Sequence, residues 1–334
     1  MTIILTGVAG FIGFHVARAL LDRGENIIGV DNLNPYYEVS LKQARLDQLK
    51  NSGNFVFTQM DIANMDEINV LFEKHKAKKV IHLAAQAGVR YSLINPVAYA
   101  NSNLMGFTNI LDACRHKNTE HLVFASSSSV YGANTKVPFS EDDPADKPVS
   151  FYGATKRANE LMAYSYSYLY GLPATGIRFF TVYGPWGRPD MSYFKFVKNI
   201  INGEAIDVFN RGAQSRDFTY IDDIVDGVIK ALDSTPAGKG SLSEKPGDNM
   251  PAFTIYNMGN SKPVELMDYI SILEQIIGKK AKINLLAEQP GDMAFTFANI
   301  EKARIQLGFN PATSLEQGLE SFVNWYREYY GVTG

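Results

Sequence analysis

The stretch Thr2-Ile-Ile-Leu-Thr-Gly-Val-Ala-Gly-Phe-Ile-Gly13 decides the fold. Its opening residues are apolar and β-rich, so they read as a short buried strand. Gly7, Gly10 and Gly13 follow, and His15 to Asp22 then carries the apolar stripe of a helix. Such a strand, glycine turn and helix start form a cradle for a pyrophosphate. The glycines admit a sharp turn and close backbone approach, and the free N–H groups of the helix end attract anions. The spacing G-x-x-G-x-x-G departs from the more familiar G-x-G-x-x-G, so the context has to support the reading. Asn26-Ile-Ile-Gly-Val30 supplies that context as a second strand ending at Asp31. An acid about 20 residues beyond the glycines suits the adenosine ribose hydroxyls of a dinucleotide. It also repels a 2′-phosphate, which favours NAD over NADP.

Strand and helix patterns continue to alternate beyond Asp31. Asn32-Leu-Asn-Pro-Tyr-Tyr37 reads as a mobile loop, followed by a polar helix to about Lys50. Phe55–Gln59, Lys79–Leu83, His121–Ala125 and Ala174–Phe180 read as strands three to six, with helices over 69–74, 97–117 and from Tyr152. Alternation of this kind predicts an α/β fold, a doubly wound parallel sheet with helices on both faces. Ligands then gather at the C-terminal ends of the strands. The second half is less regular, with strands at Ala205–Phe209 and Phe253–Asn257, a helix over 264–277, and an exposed loop from Ser234 to Pro251.

Composition narrows the class. The chain has 334 residues, 46% apolar and 20% charged, with a formal net charge of −3. That is an ordinary globular composition, with no global attraction for nucleic acid or anionic membrane. No apolar run approaches the roughly 18 residues of a membrane span, and no targeting segment is evident, so the expectation is a cytoplasmic protein. The single cysteine, Cys114, lies in an apolar helical segment and reads as buried packing, with no disulfide or metal motif.

The chemistry is concentrated in Tyr152-Gly-Ala-Thr-Lys156 and the preceding run Ser126-Ser-Ser-Ser129. Four residues apart at a helix start, Tyr152 and Lys156 share a face and can meet one ligand. A phenol with a pKa near 10 is a poor base at neutral pH, and an adjacent ammonium stabilises the phenolate. Ala84-Ala-Gln-Ala-Gly-Val-Arg90 is a small-residue loop where backbone and ligand can approach closely.

Taken in order, these motifs, with His82-Leu-Ala-Ala85, Ser126-Ser-Ser-Ser-Val-Tyr-Gly132 and Arg216-Asp-Phe-Thr-Tyr-Ile-Asp222, resemble the extended short-chain dehydrogenase/reductases over nearly the whole chain. Within that family the chain is most similar to the nucleotide-sugar 4-epimerases, in particular the branch acting on UDP-glucuronate. The narrower likeness rests on Ala87-Gly-Val-Arg-Tyr-Ser92, the segment Arg178 to Met191, and Gln289-Pro-Gly-Asp292. The resemblance implies a Rossmann domain binding NAD, mainly residues 1–180 with returning segments near 215–260. A smaller mixed α/β domain, mainly 181–334, would bind the UDP-sugar, interleaved with the first. It also implies a homodimer through helices near 97–117 and 152–170.

Carried over by position, Tyr152 is expected to be the base at the sugar O4, Lys156 to bind the nicotinamide ribose and lower the tyrosine pKa, and Ser127 to bond the same oxygen. The four serines leave the register of that last role open. The cofactor contacts expected from the likeness are Gly7, Gly10, Phe11, Ile12, Gly13, Asp31, Asn32, Asp61, Ile62, Leu83, Ala84, Ala85, Gln86 and Asn103, besides Tyr152 and Lys156. Related dehydratases and decarboxylases usually carry a carboxylate directly after the reacting Ser or Thr. Here that position is Ser128, which disfavours dehydration and UDP-pentose formation. A 4-keto uronate is a β-keto acid that loses CO₂ when its C5–carboxylate bond stands perpendicular to the carbonyl plane. Ser127, Ser128, Ser129 and Thr181, with Arg188 as charged partner, are expected to hold the carboxylate out of that geometry. Arg90 and Arg216 are expected at the diphosphate and Asp292 at the uridine ribose. A neutral UDP-hexose epimerase, a UDP-glucuronate decarboxylase and a non-catalytic NAD-binding protein are the competing readings.

Overall fold

The computed structural model describes residues 1–238, 250–289, 291, 293 and 295–332. In chain order the strands are β1 (Thr2–Thr6), β2 (Asn26–Asp31), β3 (Phe55–Gln59), β4 (Lys79–His82), β5 (His121–Ser127), β6 (Ala174–Phe179), β7 (Thr181–Tyr183), β8 (Ala205–Val208), β9 (Ser215–Tyr220), β10 (Phe253–Met258), β11 (Pro263–Glu265) and β12 (Lys282–Leu285). The helices are α1 (Phe11–Asp22), α2 (Val39–Lys50), α3 (Met65–His75), α4 (Val89–Ile94), α5 (Pro96–Tyr99), α6 (Gly106–His116), α7 (Phe151–Tyr170), α8 (Ser192–Asn202), α9 (Ile221–Asp233), α10 (Leu266–Ile277), α11 (Glu301–Leu307) and α12 (Leu315–Tyr330).

Seven parallel strands form the main sheet in the order β10-β6-β5-β4-β1-β2-β3. The winding direction reverses between β1 and β4, which opens a crevice at the C-terminal ends of these strands. Two cores cover the faces. On one, Phe14, Val16 and Leu20 of α1 pack with Ile224 and Val228 of α9. On the other, Leu71 and Phe72 of α3 meet Phe107 and Ile110 of α6 and Ala163 of α7. Cys114 lies fully buried in this second core. The inner strands β1, β2, β4, β5 and β6 are buried on both faces, which is why they read as continuous apolar runs, whereas the edge strand β3 is partly exposed.

Beyond β6 the chain builds small sheets, β11-β9-β7 and β12-β8. A third core, with Tyr193, Val197, Leu273 and Phe322, joins α8, α10 and α12. β10 returns to the edge of the main sheet beside β6. No described helix is long and apolar enough to cross a membrane.

Local differences from the sequence expectation have physical causes. The helix expected over 97–117 runs unbroken over 96–116: Asn95 caps its start through its side chain with Pro96 at the first position, and a π-helical turn over Ala100–Met105 lies between α5 and α6. The helix expected from 264 starts at Leu266, because Pro263–Glu265 pair with β9. The loop expected to be mobile after Asp31 is fastened by successive side-chain turns, Leu33 N–H to Asp31 at 2.9 Å, Asn34 N–H to Asn32 at 3.0 Å and Tyr36 N–H to Asn34 at 2.9 Å.

Candidate active site

A cleft of about 700 Å³ opens at the C-terminal ends of the central strands, between the main sheet and the smaller sheets. Its floor is the glycine turn. Gly7 has a φ of 76°, and a Cβ there would lie 2.7 Å from the Ala84 nitrogen and Leu83 carbonyl carbon. A Cβ on Gly13 would meet the Gly7 oxygen at 2.1 Å. Only hydrogen fits at either place. The turn therefore lies flat against the Leu83–Ala84 backbone, and Gly10 stands at the N-cap of α1, so no side chain caps that N-terminus. Those open N–H groups are what a pyrophosphate requires. Asp31, buried at the end of β2, accepts the Ala9 N–H at 3.1 Å and faces the same cleft. The donors and the cradle fit NAD.

Most of the residues expected to hold the cofactor line this cleft: Gly10, Phe11 and Ile12, Asn32, Ile62, and the backbone from Leu83 to Gln86. Two stand elsewhere. Asp61 is exposed and takes a hydrogen bond from Asn32 at 3.0 Å, so it orients a lining residue from outside. Asn103 is buried under the Ala84–Gly88 loop. It accepts the Gln86 N–H at 2.8 Å and donates to the Gln86 carbonyl and Thr155 Oγ1 at 3.0 Å each. It thereby ties the loop to α7, and the π-helical turn is what aims it there.

The catalytic candidates converge. Ser150 caps α7 by accepting the Gly153 N–H at 3.0 Å, and this fixes Tyr152 and Lys156 in its first turns. Their partners separate the serines. Ser126 donates to Glu160 at 2.6 Å, whereas Ser127 forms a hydrogen bond with the Tyr152 phenol. Ser127 also caps a short 3₁₀ turn by accepting the Ser129 N–H at 3.2 Å. That settles which serine faces the phenol.

Burial raises the Tyr152 pKa, and the Ser127 hydrogen bond and the Arg188 charge oppose it. Lys156 was expected to exert that lowering, but its ammonium donates to the Ala125 carbonyl at 2.8 Å, which draws it to the strand. Burial brings Lys156 down to about 8, with Glu160 one turn along α7 acting the other way. His82, buried beside Lys156 and bonded to Thr6 Oγ1 at 2.8 Å, is pushed down to about 3 and is neutral.

Behind the serines lies a buried ion pair. Glu160 receives Arg178 Nε at 2.8 Å and Nη2 at 2.9 Å, with Arg157 at 2.8 Å. These donors hold the Glu160 carboxyl below its usual range despite burial. Neither Glu160 nor Arg178 was anticipated as a support for the site, although the Glu160 position one turn beyond Lys156 on α7 hinted at it.

On the smaller-sheet side, Ser128, Ser129, Thr181 and Arg188 line the cleft together. Arg188 is not an open fork awaiting a carboxylate. Its Nε and Nη2 donate to Asp190 at 3.0 and 2.6 Å, and Tyr36 donates to the same carboxylate at 3.3 Å. The expected grip is thus already occupied by an internal carboxylate, and Asp190 was missed although it stands two residues from Arg188. Arg90 and Arg216 both line the cleft. The Arg90 guanidinium lies 4.3 Å from the centre of the Phe209 ring, and Arg216 donates to the Ser215 carbonyl at 3.1 Å. Asp292 falls outside the described residues.

A phenol bonded to a hydroxyl, in one cleft with a dinucleotide cradle, defines an NAD-linked enzyme working at an alcohol carbon. The chain belongs to the NAD dependent epimerase/dehydratase family, whose model matches residues 3–243. It is 50% identical over 335 residues to UDP-glucuronate 4-epimerase 4 of Arabidopsis thaliana, covering 99% of this chain and 76% of that protein. It is 49% identical to Protein CapI of Staphylococcus aureus, covering 99% of each. Among solved structures, the UDP-glucuronic acid 4-epimerase of Bacillus cereus in complex with UDP-glucuronic acid and NAD superposes with a TM-score of 0.88 at 35% identity, covering 99% of this chain and 100% of that one.

Proposed function

We propose that the protein interconverts UDP-glucuronate and UDP-galacturonate by NAD-dependent epimerisation at C4. The observation that carries this reading is the Tyr152 phenol bonded to the Ser127 hydroxyl in the cleft whose floor is the glycine cradle. NAD, when bound, supplies the hydride acceptor and donor at the sugar C4. Tyr152 takes the O4 proton and returns it, and Ser127 orients that oxygen. A positioned acid/base of this kind contributes about 10²–10⁴-fold in rate. Oxidation and reduction cancel over the cycle, so no external reductant is needed and the cofactor stays bound.

Ser128 and Ser129 present hydroxyls where a second carboxylate would promote elimination or decarboxylation, and Thr181 lines the same cleft beyond the end of the neighbouring strand β6. Those hydroxyls bond a C5 carboxylate without adding charge. Arg188, with Asp190 at its side, supplies the cationic end of the same wall. The pairing of Arg188 with Asp190 also supports a second reading, a neutral UDP-hexose as substrate, because the pair leaves little net charge. The likeness to UDP-glucuronate 4-epimerases favours the uronate.

Replacing Tyr152 with Phe tests the assignment of the base. The account expects turnover to vanish while folded protein retains NAD; a fully active variant would overturn it. A homodimer in the cytoplasm completes the proposal. Exposed Ile94, Val97, Met105, Leu161 and Leu169 give α4–α7 an apolar outer face suited to a second copy. Light scattering after size exclusion checks the dimer, and cell fractionation checks the compartment.

A further inference from the structure

Arg45, midway along α2, is fully buried, and it donates to carbonyls and a phenol. One side of its fork reaches the glycine turn, where Nη1 donates to the Ala9 carbonyl at 2.8 Å and to the Tyr37 hydroxyl at 2.8 Å. The other side reaches the segment that carries Arg188. Nε and Nη2 donate to the Trp186 carbonyl at 3.1 and 2.6 Å, and Nη2 donates to the Gly187 carbonyl at 3.1 Å. The Ala9 peptide is itself committed, since its N–H donates to Asp31. A single guanidinium thus spans from the ribose-binding acid's own contact to the residue preceding Arg188.

The captured segment needs holding. Trp186 has a φ of 61°, a left-handed conformation that bulky residues rarely adopt, and such strain persists only where the surroundings over-determine it. α1 contributes as well, with His15 Nε2 bonded to the Pro185 carbonyl at 2.9 Å. Burial pushes His15 down to about 3, so the ring is neutral and its Nε2–H donates. Three successive carbonyls, Pro185 to Gly187, are therefore fixed by helices of the dinucleotide half. Arg188 follows at once, with its N–H donating to Tyr193 at 3.1 Å. Burying a guanidinium away from water is costly. Only Arg offers a rigid planar fork with five donors; Lys is a point donor.

We propose that Arg45 is a positioning residue that sets the sugar-facing segment 185–190 in register with the cofactor's glycine turn. It touches neither ligand. It acts through the backbone that aims Arg188 and Asp190 at the sugar end of the cleft. The proposal rests on the reading of that end as the site of a UDP-linked uronate.

The test uses the NAD-loaded protein and its R45K and R45M variants, with calorimetric titration of UDP and of UDP-glucuronate. Bound NAD is measured after denaturation, and hydrogen exchange is followed over residues 182–193. In both variants NAD per chain and UDP affinity should stay within about twofold. UDP-glucuronate should bind about tenfold more weakly, the scale expected when a positioning contact slips, and exchange over 182–193 should quicken. Should R45M fail to fold, R45K alone decides, because it keeps the charge and loses the fork. Equal losses for UDP and UDP-glucuronate, an R45K that matches wild type, or unchanged exchange would overturn the proposal. Wild-type protein that binds UDP-glucuronate no better than UDP would sink the uronate reading instead, leaving the exchange result to judge Arg45.

Discussion

The Ser126 hydroxyl donates to the Glu160 carboxylate at 2.6 Å, two turns along α7 from Tyr152. The next residue, Ser127, bonds the Tyr152 phenol instead. The two serines therefore have separable duties. Ser126 helps satisfy a buried carboxylate that also holds Arg178, and in the proposed reaction Ser127 meets the substrate oxygen.

Their variants should separate accordingly. Ser127→Ala is expected to lower kcat by about 10²-fold with NAD content and thermal stability retained. Ser126→Ala leaves Glu160 short of a donor and should cost about 1–3 kcal/mol of stability, with a smaller effect on kcat. Steady-state kinetics and urea unfolding on both variants check this. The reverse pattern would exchange their roles.

The glycine cradle leads to a sharper expectation. Gly7→Ala places a methyl 2.7 Å from the Ala84 backbone at a positive φ, and Gly13→Ala drives one to 2.1 Å from the Gly7 oxygen. Either should strip the protein of NAD, read as dinucleotide released per chain on denaturation. Wild-type NAD content in both would mean that the cradle does not hold the cofactor.

Arg188 and Asp190 form a pair, so removing one partner is not equivalent to removing both. Arg188→Ala leaves the Asp190 carboxylate uncompensated in the cleft, where it repels a uronate. UDP-glucuronate affinity should fall by about 100-fold, and more than UDP-glucose affinity. The double variant Arg188→Ala, Asp190→Ala should recover about tenfold of that loss. Competition titrations with the two sugars measure it; a double variant no better than the single one would refute the repulsion.

Acid should weaken the fold. His15 and His82 are held to about 3, and His121 to about 4, chiefly by burial. Above the ordinary value of about 6.5 these rings are neutral in both folded and unfolded chains. Below it only the unfolded chain takes up the proton, so stability falls as the pH drops from about 6.5 towards 3. The slope is about 1.4 kcal/mol per pH unit for each ring. Glu160 and Asp190, held below their usual range, push the same way at the acid end. Replacing His82 with Gln should flatten the dependence between pH 6.5 and 4, checked by urea unfolding across that range. An equally steep dependence in the variant would mean that His82 is not held neutral.

The elements that local pattern alone specifies were legible in the sequence. The Thr2–Gly13 strand-turn-helix and Asp31 sit in one continuous βαβ stretch, and Tyr152 and Lys156 in one helical turn. What was hidden depends on tertiary placement. The serine register needed the partners on α7, Glu160 for Ser126 and Tyr152 for Ser127, which four identical residues conceal. Asp190 lay in plain view beside Arg188, but its pairing required the loop's conformation. Arg45 was hidden most deeply. Its helix reads as polar and solvated, yet Arg45 is fully buried, with carbonyl partners 141 and 142 residues away in sequence. β7 and β11, three residues each, are too short for any periodicity to show.

The most direct test is proton NMR of the purified protein with UDP-glucuronate and no added NADH. The account predicts that UDP-galacturonate anomeric signals grow to a stable mixture, and that Tyr152→Phe prevents it. UDP-pentose or 4-keto pentose signals would contradict it by showing decarboxylation despite Ser128 and Ser129. An unchanged uronate alongside turnover of UDP-glucose would contradict it by transferring the site to a neutral sugar.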